Sequence, residues 1–198
     1  KIHQERNNRS NIEVVILFDG TKIKEIKEGI CNIKFIKIEP TISKIDKNIF
    51  KGFSSLIEVT IPQSITSLNE GCFSDCSSLT KIDIPSTVTK ISDNAFENCS
   101  SLTKIDIPQN VTEIGSNTFK GCKSLKTIII PKSTKIIGQG CFNDCERLEK
   151  ISIESDKITI LNESTFKNCI SLREINIPSS VKILKKECFM NCSSLNQI

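Results

Sequence analysis

Apolar residues recur at the same places in consecutive stretches of 23 residues over most of the chain. In a unit numbered from its leucine, they occupy positions 1, 4, 6, 10, 13 and 18, and cysteine is common at position 21. One unit supplies Leu79, Ile82, Ile84, Val88, Ile91, Phe96 and Cys99. Position 18 is Phe50, Phe73, Phe96, Phe119, Phe142, Phe166 and Phe189 in successive units. Such regularity predicts a solenoid with one turn per unit.

Each unit contains one segment that predicts a strand and one that predicts a turn or short helix. At positions 3 to 6, for example residues 81–84, polar and apolar residues alternate, which is typical of a short strand with one face in a core. Proline at position 7 has no N–H to donate and ends the strand. The polar positions 14 to 17, residues 92–95 here, favour a turn that opens a brief helix and carries Phe96 and Cys99 inward.

The units have to stack in order to fold. A single unit buries too little apolar surface to offset the conformational entropy that it loses on folding. Neighbouring units supply strand pairing and cover each other's open faces, as in other solenoids. We therefore predict parallel strands about 4.8 Å apart, with the phenylalanines in one buried file.

The repeated unit, L-x-x-I-x-I-P-x-x-V-x-x-I-x-x-x-A-F-x-x-C-x-S, resembles the leucine-rich repeats of the BspA-type bacterial surface antigens. The resemblance covers residues 33–198. Glu39 and Glu154 stand in place of the proline, and Phe53 in place of the first position-21 cysteine. The resemblance implies an α/β repeat: a right-handed solenoid with a parallel sheet on the concave face and short helices or turns on the convex face. It also implies adhesion or ligand capture at a cell surface.

The chain divides into two regions by its repeat pattern. Residues 33–198 hold about seven repeats and the start of an eighth. Residues 1–32 are expected to form a polar N-terminal tail and a degenerate capping repeat, in which residues 14–18 predict a strand. The first residue is Lys1 and the last repeat stops just after Leu195, so we expect a processed or cut chain with more protein beyond residue 198.

Composition and charge argue against several classes of function. The net charge of +4 arises between residues 22 and 51, where acidic residues separate the lysines. Nucleic-acid binding needs a concentrated basic face, so we expect none. The single histidine, His3, lies in the tail, and no glycine-rich phosphate-binding motif occurs. We therefore predict no enzyme and no cofactor.

Nine of the ten cysteines follow the repeat. Position 21 holds Cys76, Cys99, Cys122, Cys145, Cys169 and Cys192, and position 17 holds Cys72, Cys141 and Cys188. Cys31 lies outside the pattern. A small buried filler explains these positions best, because free cysteine is often fully buried and Ala95 takes the same place in one unit. Disulfides are less suitable, because equivalent cysteines of adjacent units point in parallel directions, which is poor geometry for a disulfide bond. A zinc site is also poorly supported, because the Cys-x-x-x-Cys pairs have no histidine to complete the ligand set.

The outward positions of the strands predict a candidate ligand-binding face. Position 3 runs Phe35, Glu58, Lys81, Lys104, Thr127, Lys150 and Glu174, and position 5 runs Lys37, Thr60, Asp83, Asp106, Ile129, Ser152 and Asn176. One interpretation is a solvated, self-compensated surface, since exposed ion pairs contribute only about 0–1 kcal/mol. The other is a polar docking surface with Phe35 and Ile129 as exposed apolar anchors.

These observations favour a non-catalytic interaction or adhesion module of a larger surface or secreted protein. We expect a protein ligand, with a glycan as the other option. An intracellular scaffold or regulatory domain and a passive spacer remain alternatives, and the first of these would place the chain in the cytoplasm. The longest apolar run, residues 14–18, is too short to span a bilayer.

Overall fold

The computed structural model describes residues 2–6, 13–17 and 33–196. Its strands are β1 (Ile2–Arg6), β2 (Glu13–Leu17), β3 (Ile33–Ile38), β4 (Glu58–Thr60), β5 (Ser67–Leu68), β6 (Lys81–Asp83), β7 (Lys90–Ile91), β8 (Glu113–Ile114), β9 (Thr127–Ile130), β10 (Ile136–Ile137), β11 (Lys150–Ile153), β12 (Ile160–Leu161), β13 (Glu174–Asn176) and β14 (Ile183–Leu184). Turns connect them, and the described residues contain no helix.

A first ladder of parallel strands is built from positions 3 to 5 of successive turns. It joins β2, β3, β4 and β6, and after an interruption β9, β11 and β13. Residues of equal position pair, so that Glu58 lies between Phe35 and Lys81. At the N-terminal side, β1 pairs antiparallel with β2, which extends the sheet beyond the repeats. The division of the chain at residue 32 stays a prediction.

A second ladder is built from positions 12 and 13. It joins β5, β7, β8 and β10, and then β12 with β14. Ser67, Lys90, Glu113 and Ile136 are successive partners in it. Because both ladders pair one turn with the next at equal positions, the predicted parallel solenoid is confirmed, with about seven turns.

Of the predicted short helices or turns, the described residues have only turns, so the α/β class is not confirmed. Two residues per turn have left-handed backbone, with φ from 51° to 79°. Position 16 is Asn48, Gly71, Asn94, Asn117, Gly140, Ser164 and Glu187, and position 20 is Gly52, Asp75, Asn98, Gly121, Asp144, Asn168 and Asn191. Asn, Asp and Gly are the residues that adopt this conformation at least cost. Two such residues four positions apart prevent a helix from forming.

The backbone of this segment bonds to the next turn. The N–H groups of Asn94, Phe96 and Asn98 donate to carbonyl oxygens of the following turn at 2.9, 2.9 and 2.7 Å. The side chain of Asn98 also bridges turns, since its Nδ2 donates to Oδ1 of Asp75 at 2.8 Å. An α-helix would use the same N–H groups within the turn. Hydrogen bonds to the next turn therefore take the place of the hydrogen bonds that a helix would have made in this segment.

The seven phenylalanines at position 18 form a continuous stack through the core. Neighbouring ring centroids lie 5.3 to 5.6 Å apart, and the ring planes are within 14° of parallel. Six of the rings are fully buried, and Phe189 is half-buried at the last turn. The predicted buried file is confirmed.

The cysteines at position 21 line the same core. Each of the six thiols donates to the backbone carbonyl oxygen of the phenylalanine in the preceding turn, at S···O distances of 3.0 to 3.3 Å. The nine described cysteines are free thiols, and all except the half-buried Cys192 are buried. Cys31 lies outside the described residues. Burial raises the pKa of Cys76 from its ordinary value of 9.0 to about 12 and that of Cys192 to about 11.

We expect truncation of a central ring to cost more stability than truncation of the last one. Phe119→Ala removes a buried ring that stacks on both neighbours and should lower the free energy of unfolding by about 3–5 kcal/mol. Phe189→Ala removes a half-buried ring and should cost less than about 2 kcal/mol. Urea unfolding followed by circular dichroism measures both, and equal losses would contradict the stacked file.

The buried thiols predict a loss of stability at alkaline pH. Above pH 9.0 the unfolded chain releases thiol protons that the folded chain keeps, so the free energy of unfolding falls as the pH rises towards about 12. Urea unfolding at several pH values should show a shallower decline for Cys76→Ala than for the parent chain. Cys192→Ala is the matched control, and it should flatten the decline less because the pKa of Cys192 is raised less.

Candidate binding face

The fourteen residues predicted to bind ligand lie at positions 3 and 5 of the first ladder, and we call them the sheet face. Strand alternation exposes them: in β6 the side chains of Lys81 and Asp83 are exposed while Ile82 between them is buried. The predicted columns are confirmed in register by the pairing of β3 with β4, β4 with β6, and β9 with β11 and β13. Twelve of the fourteen side chains are exposed, and Phe35 and Ser152 are half-buried.

Phe35 differs from the sequence expectation. The sequence predicts an exposed anchor there, but the side chain of Phe35 is half-buried. A strand lies on each side of it, because β2 pairs with β3 and places Val14 opposite Phe35, while Glu58 is its partner in β4. Ile129 meets the expectation, with 54% of its surface exposed. The sheet face therefore has one strongly exposed apolar side chain.

Most charges of the sheet face are compensated by near neighbours. Lys81 and Asp83 form an ion pair within one strand, with Nζ and Oδ2 3.0 Å apart, and Lys104 and Asp106 repeat it one turn later at 3.0 Å. Hydrogen bonding to the Asp83 carboxylate raises the pKa of Lys81. These pairs are exposed, so each contributes little stability. They leave a central area of alternating charge with no large net field.

The first ladder is interrupted between these two turns, which share the same ten residues at 76–85 and 99–108. Lys104 makes only an isolated bridge to Thr127, and residues 104–106 form no strand with β6. In register, the pairing would set Lys81 beside Lys104 and Asp83 beside Asp106. Like charges on neighbouring strands oppose close pairing. Each lysine instead turns to the aspartate of its own turn.

Ile129 lies between two ion-paired areas of the sheet face. On one side is the pair of Lys104 and Asp106, and on the other Lys150 contacts Glu174 of the next strand, with Nζ and Oε1 2.9 Å apart. Its partner across β9 and β11 is Ser152, which is small and half-buried. The isoleucine thus stands as an apolar contact point within a charged surround, an arrangement that suits a docking surface.

The second ladder has an exposed face that the sequence reasoning missed. Near its start is a groove of about 660 Å³. The groove is lined by ion-paired residues, including Lys47 with Glu70 at 2.6 Å and Lys90 with Glu113 at 2.8 Å. The signal was available, because position 12 directly precedes the apolar position 13, so strand alternation directs it outward. These charges are compensated, and nothing in the groove marks a chemical role.

The described residues lack the features of a metal site and of a membrane span. They contain no group of three or more His, Cys, Asp or Glu side chains that could hold a metal ion. In the same ranges there is no helix with the length and apolar character needed to cross a membrane.

Comparison with known proteins agrees with the repeat pattern. The model of the BspA type leucine rich repeat region matches in six copies, over residues 25–145 and 112–198. No curated protein sequence matches the chain.

Solved structures show the same fold. A leucine-rich repeat protein from T. pallidum is 24% identical, with a TM-score of 0.80 over 98% of this chain and 88% of that one. A leucine-rich repeat protein from Eubacterium ventriosum is 22% identical, with a TM-score of 0.66 over 91% of this chain and 59% of that one. From the family match, which spans most of its length, this chain belongs to the BspA-type leucine-rich repeat family.

Proposed function

We propose that this chain is a non-catalytic interaction module that binds a protein or glycan ligand through its sheet face. The proposal includes a place within a larger surface or secreted protein, and a right-handed solenoid with the sheet face on its concave side. Family membership supports a protein-interaction role. The observation that carries the choice of surface is Ile129, which is 54% exposed within an ordered array of polar side chains.

Ile129 is better suited to supply affinity than the ion pairs around it. Burying an exposed isoleucine against a partner removes apolar surface from water, which stabilises a complex by about 25 cal/mol per Å². The exposed lysine–aspartate pairs already have partners within the chain, so a ligand gains less from them than from free charges. Their regular alternation can still select a partner with the complementary pattern. Ile129 would therefore give affinity, and Lys81, Asp83, Lys104 and Asp106 specificity.

We expect two changes on the sheet face to weaken ligand binding. Ile129→Asp should weaken it at least about tenfold, because it sets a charge where an apolar contact is buried. The fourfold exchange Lys81→Glu, Asp83→Lys, Lys104→Glu and Asp106→Lys keeps both ion pairs and the net charge but inverts the charge pattern, so it should also weaken binding. The measurement is binding of the labelled chain to arrays of purified cell-surface proteins and of glycans.

Ile170→Asp is the matched control, because Ile170 is also an exposed isoleucine, at 45%, but lies outside the sheet face. It should bind like the parent chain. Binding that survives both sheet-face changes would move the site elsewhere. Absence of any binding on either array would favour the passive spacer, and failure of an antibody to stain intact cells of the source organism would favour the cytoplasmic alternative.

A further inference from the structure

The outward-facing column at position 12 changes from charged to apolar residues halfway along the second ladder. In the earlier turns it contains Lys90 and Glu113, which form an ion pair at 2.8 Å. The last three turns place isoleucine there, and we call Ile136, Ile160 and Ile183 the isoleucine stripe. Ile160 is half-buried, whereas Ile136 and Ile183 are 51% and 50% exposed. The turns are consecutive, and Ile160 pairs directly with Ile183.

Strand alternation directs position 12 outward, because position 13 beside it faces the core. Leu184 at position 13 is 50% exposed, but its equivalents Ile137 and Leu161 are fully buried, so the exposure of Leu184 comes from its place in the last turn. Ile183 behaves differently. It is as exposed as Ile136, whose turn is stacked on both sides at Phe142 although its strand pairs only with β8, so a further turn need not bury Ile183.

Lysines border the stripe on both sides. Lys135 and Lys182 occupy position 11, directly before Ile136 and Ile183, and Lys185 occupies position 14. All three side chains are exposed, and Lys182 donates through Nζ to the carbonyl oxygen of Ser179 at 2.7 Å without losing its charge.

Two acids beside the stripe have cationic partners: Glu113, which pairs with Ile136 in the ladder, and Glu187, four residues after Ile183. Glu113 pairs with Lys90 at 2.8 Å, and Glu187 pairs with Lys167 at 2.8 Å. Glu163 also lies close enough to Lys167 to contribute to the raised pKa of that lysine. The charge that remains available at the border of the stripe is therefore positive.

We propose that the isoleucine stripe is a second binding surface, which takes an acidic amphipathic helical segment of a partner protein. The stripe offers an apolar side chain in each of three stacked turns. Paired strands lie about 4.8 Å apart, and Ile160 and Ile183 are paired in this way, whereas β10 and β12 are stacked without being paired. A helix offers an apolar side chain in each of its turns at about 5.4 Å, which is close to this spacing. Carboxylates beside the apolar face of that helix would meet Lys135, Lys182 and Lys185. The stripe belongs to the second ladder, so this inference is independent of ligand binding by the sheet face.

The composition of the stripe disfavours the other occupants. A second copy of the chain bound through the same surface would bring lysines against lysines. The apolar part is only one side chain wide, which is narrower than the face that amphipathic elements bury in a bilayer. Nucleic acid is also disfavoured, because its bases stack on aromatic side chains and the stripe offers only isoleucines.

The test uses a fluorescein-labelled helical peptide of about 20 residues, long enough to hold a helix, with leucine on one face and glutamate beside it. Fluorescence anisotropy with the whole chain should show binding that weakens with salt. The double variant Ile136→Thr/Ile183→Thr, which keeps the β-branched side chain suited to a strand, should bind at least about tenfold more weakly. Lys135→Glu/Lys182→Glu should weaken binding to a similar degree.

Two controls separate this site from other causes. Ile170→Thr removes an exposed isoleucine outside the stripe and should bind like the parent chain. A peptide with lysine in place of every glutamate should not bind. Circular dichroism of each variant checks that the fold is kept.

Four results would overturn the proposal. The first is equal binding of the acidic and basic peptides, and the second is parent-like binding by both double variants. The third is binding of phosphatidylserine vesicles in place of the peptide. The fourth is a dimer in sedimentation experiments that Ile136→Thr/Ile183→Thr abolishes, which would assign the stripe to a second copy.

Discussion

Contact between successive turns is the constraint on which the rest of this structure depends. Each turn of 23 residues leaves a phenylalanine ring, a thiol and the backbone of its strands uncovered on the side that faces the next turn, and only that turn can cover them. The ring of Phe96 lies between two other phenylalanine rings. The backbone N–H of Phe96 donates a hydrogen bond to the following turn, and its backbone carbonyl oxygen accepts one from a thiol of that turn. Apolar burial and backbone hydrogen bonding are thus satisfied by one and the same contact.

This constraint also organises the surface. Because equal positions lie above one another, each outward position becomes a column, and a residue in one turn acts together with its neighbours in the turns beside it. Lys81 and Lys104 show the disadvantage of this rule, since two turns with the same strand residues set like charges side by side and the first ladder is interrupted there. Ile136 and Ile183 show the advantage of this rule, because it places single isoleucines of separate turns in one apolar stripe.

Much of the fold could be predicted because its period is so regular. The spacing of Phe50, Phe73 and Phe96 placed these residues in one buried file, and the alternation around Ile82 placed Lys81 and Asp83 on the exposed side. Of the short helices or turns that were predicted, the described residues have turns, and Asn94 and Asn98 carried a signal for them. Asparagine, aspartate or glycine at both positions in most turns indicates left-handed backbone, which a reading based on polar turn residues alone overlooks.

The sequence by itself determined which residues share a column, which columns face the core and where the chemistry of a column changes. Only the tertiary structure decided how exposed each member is and which charges are already paired. Exposure depends on the turns to either side, so Phe35 is half-buried beside β2 and β4 while Ile129 is open. Pairing depends on side-chain reach across turns, so Lys150 contacts Glu174 while Lys81 contacts the aspartate of its own strand. The repeat pattern can be read from the sequence alone, whereas a binding surface consists of the side chains that neighbouring turns have neither buried nor ion-paired.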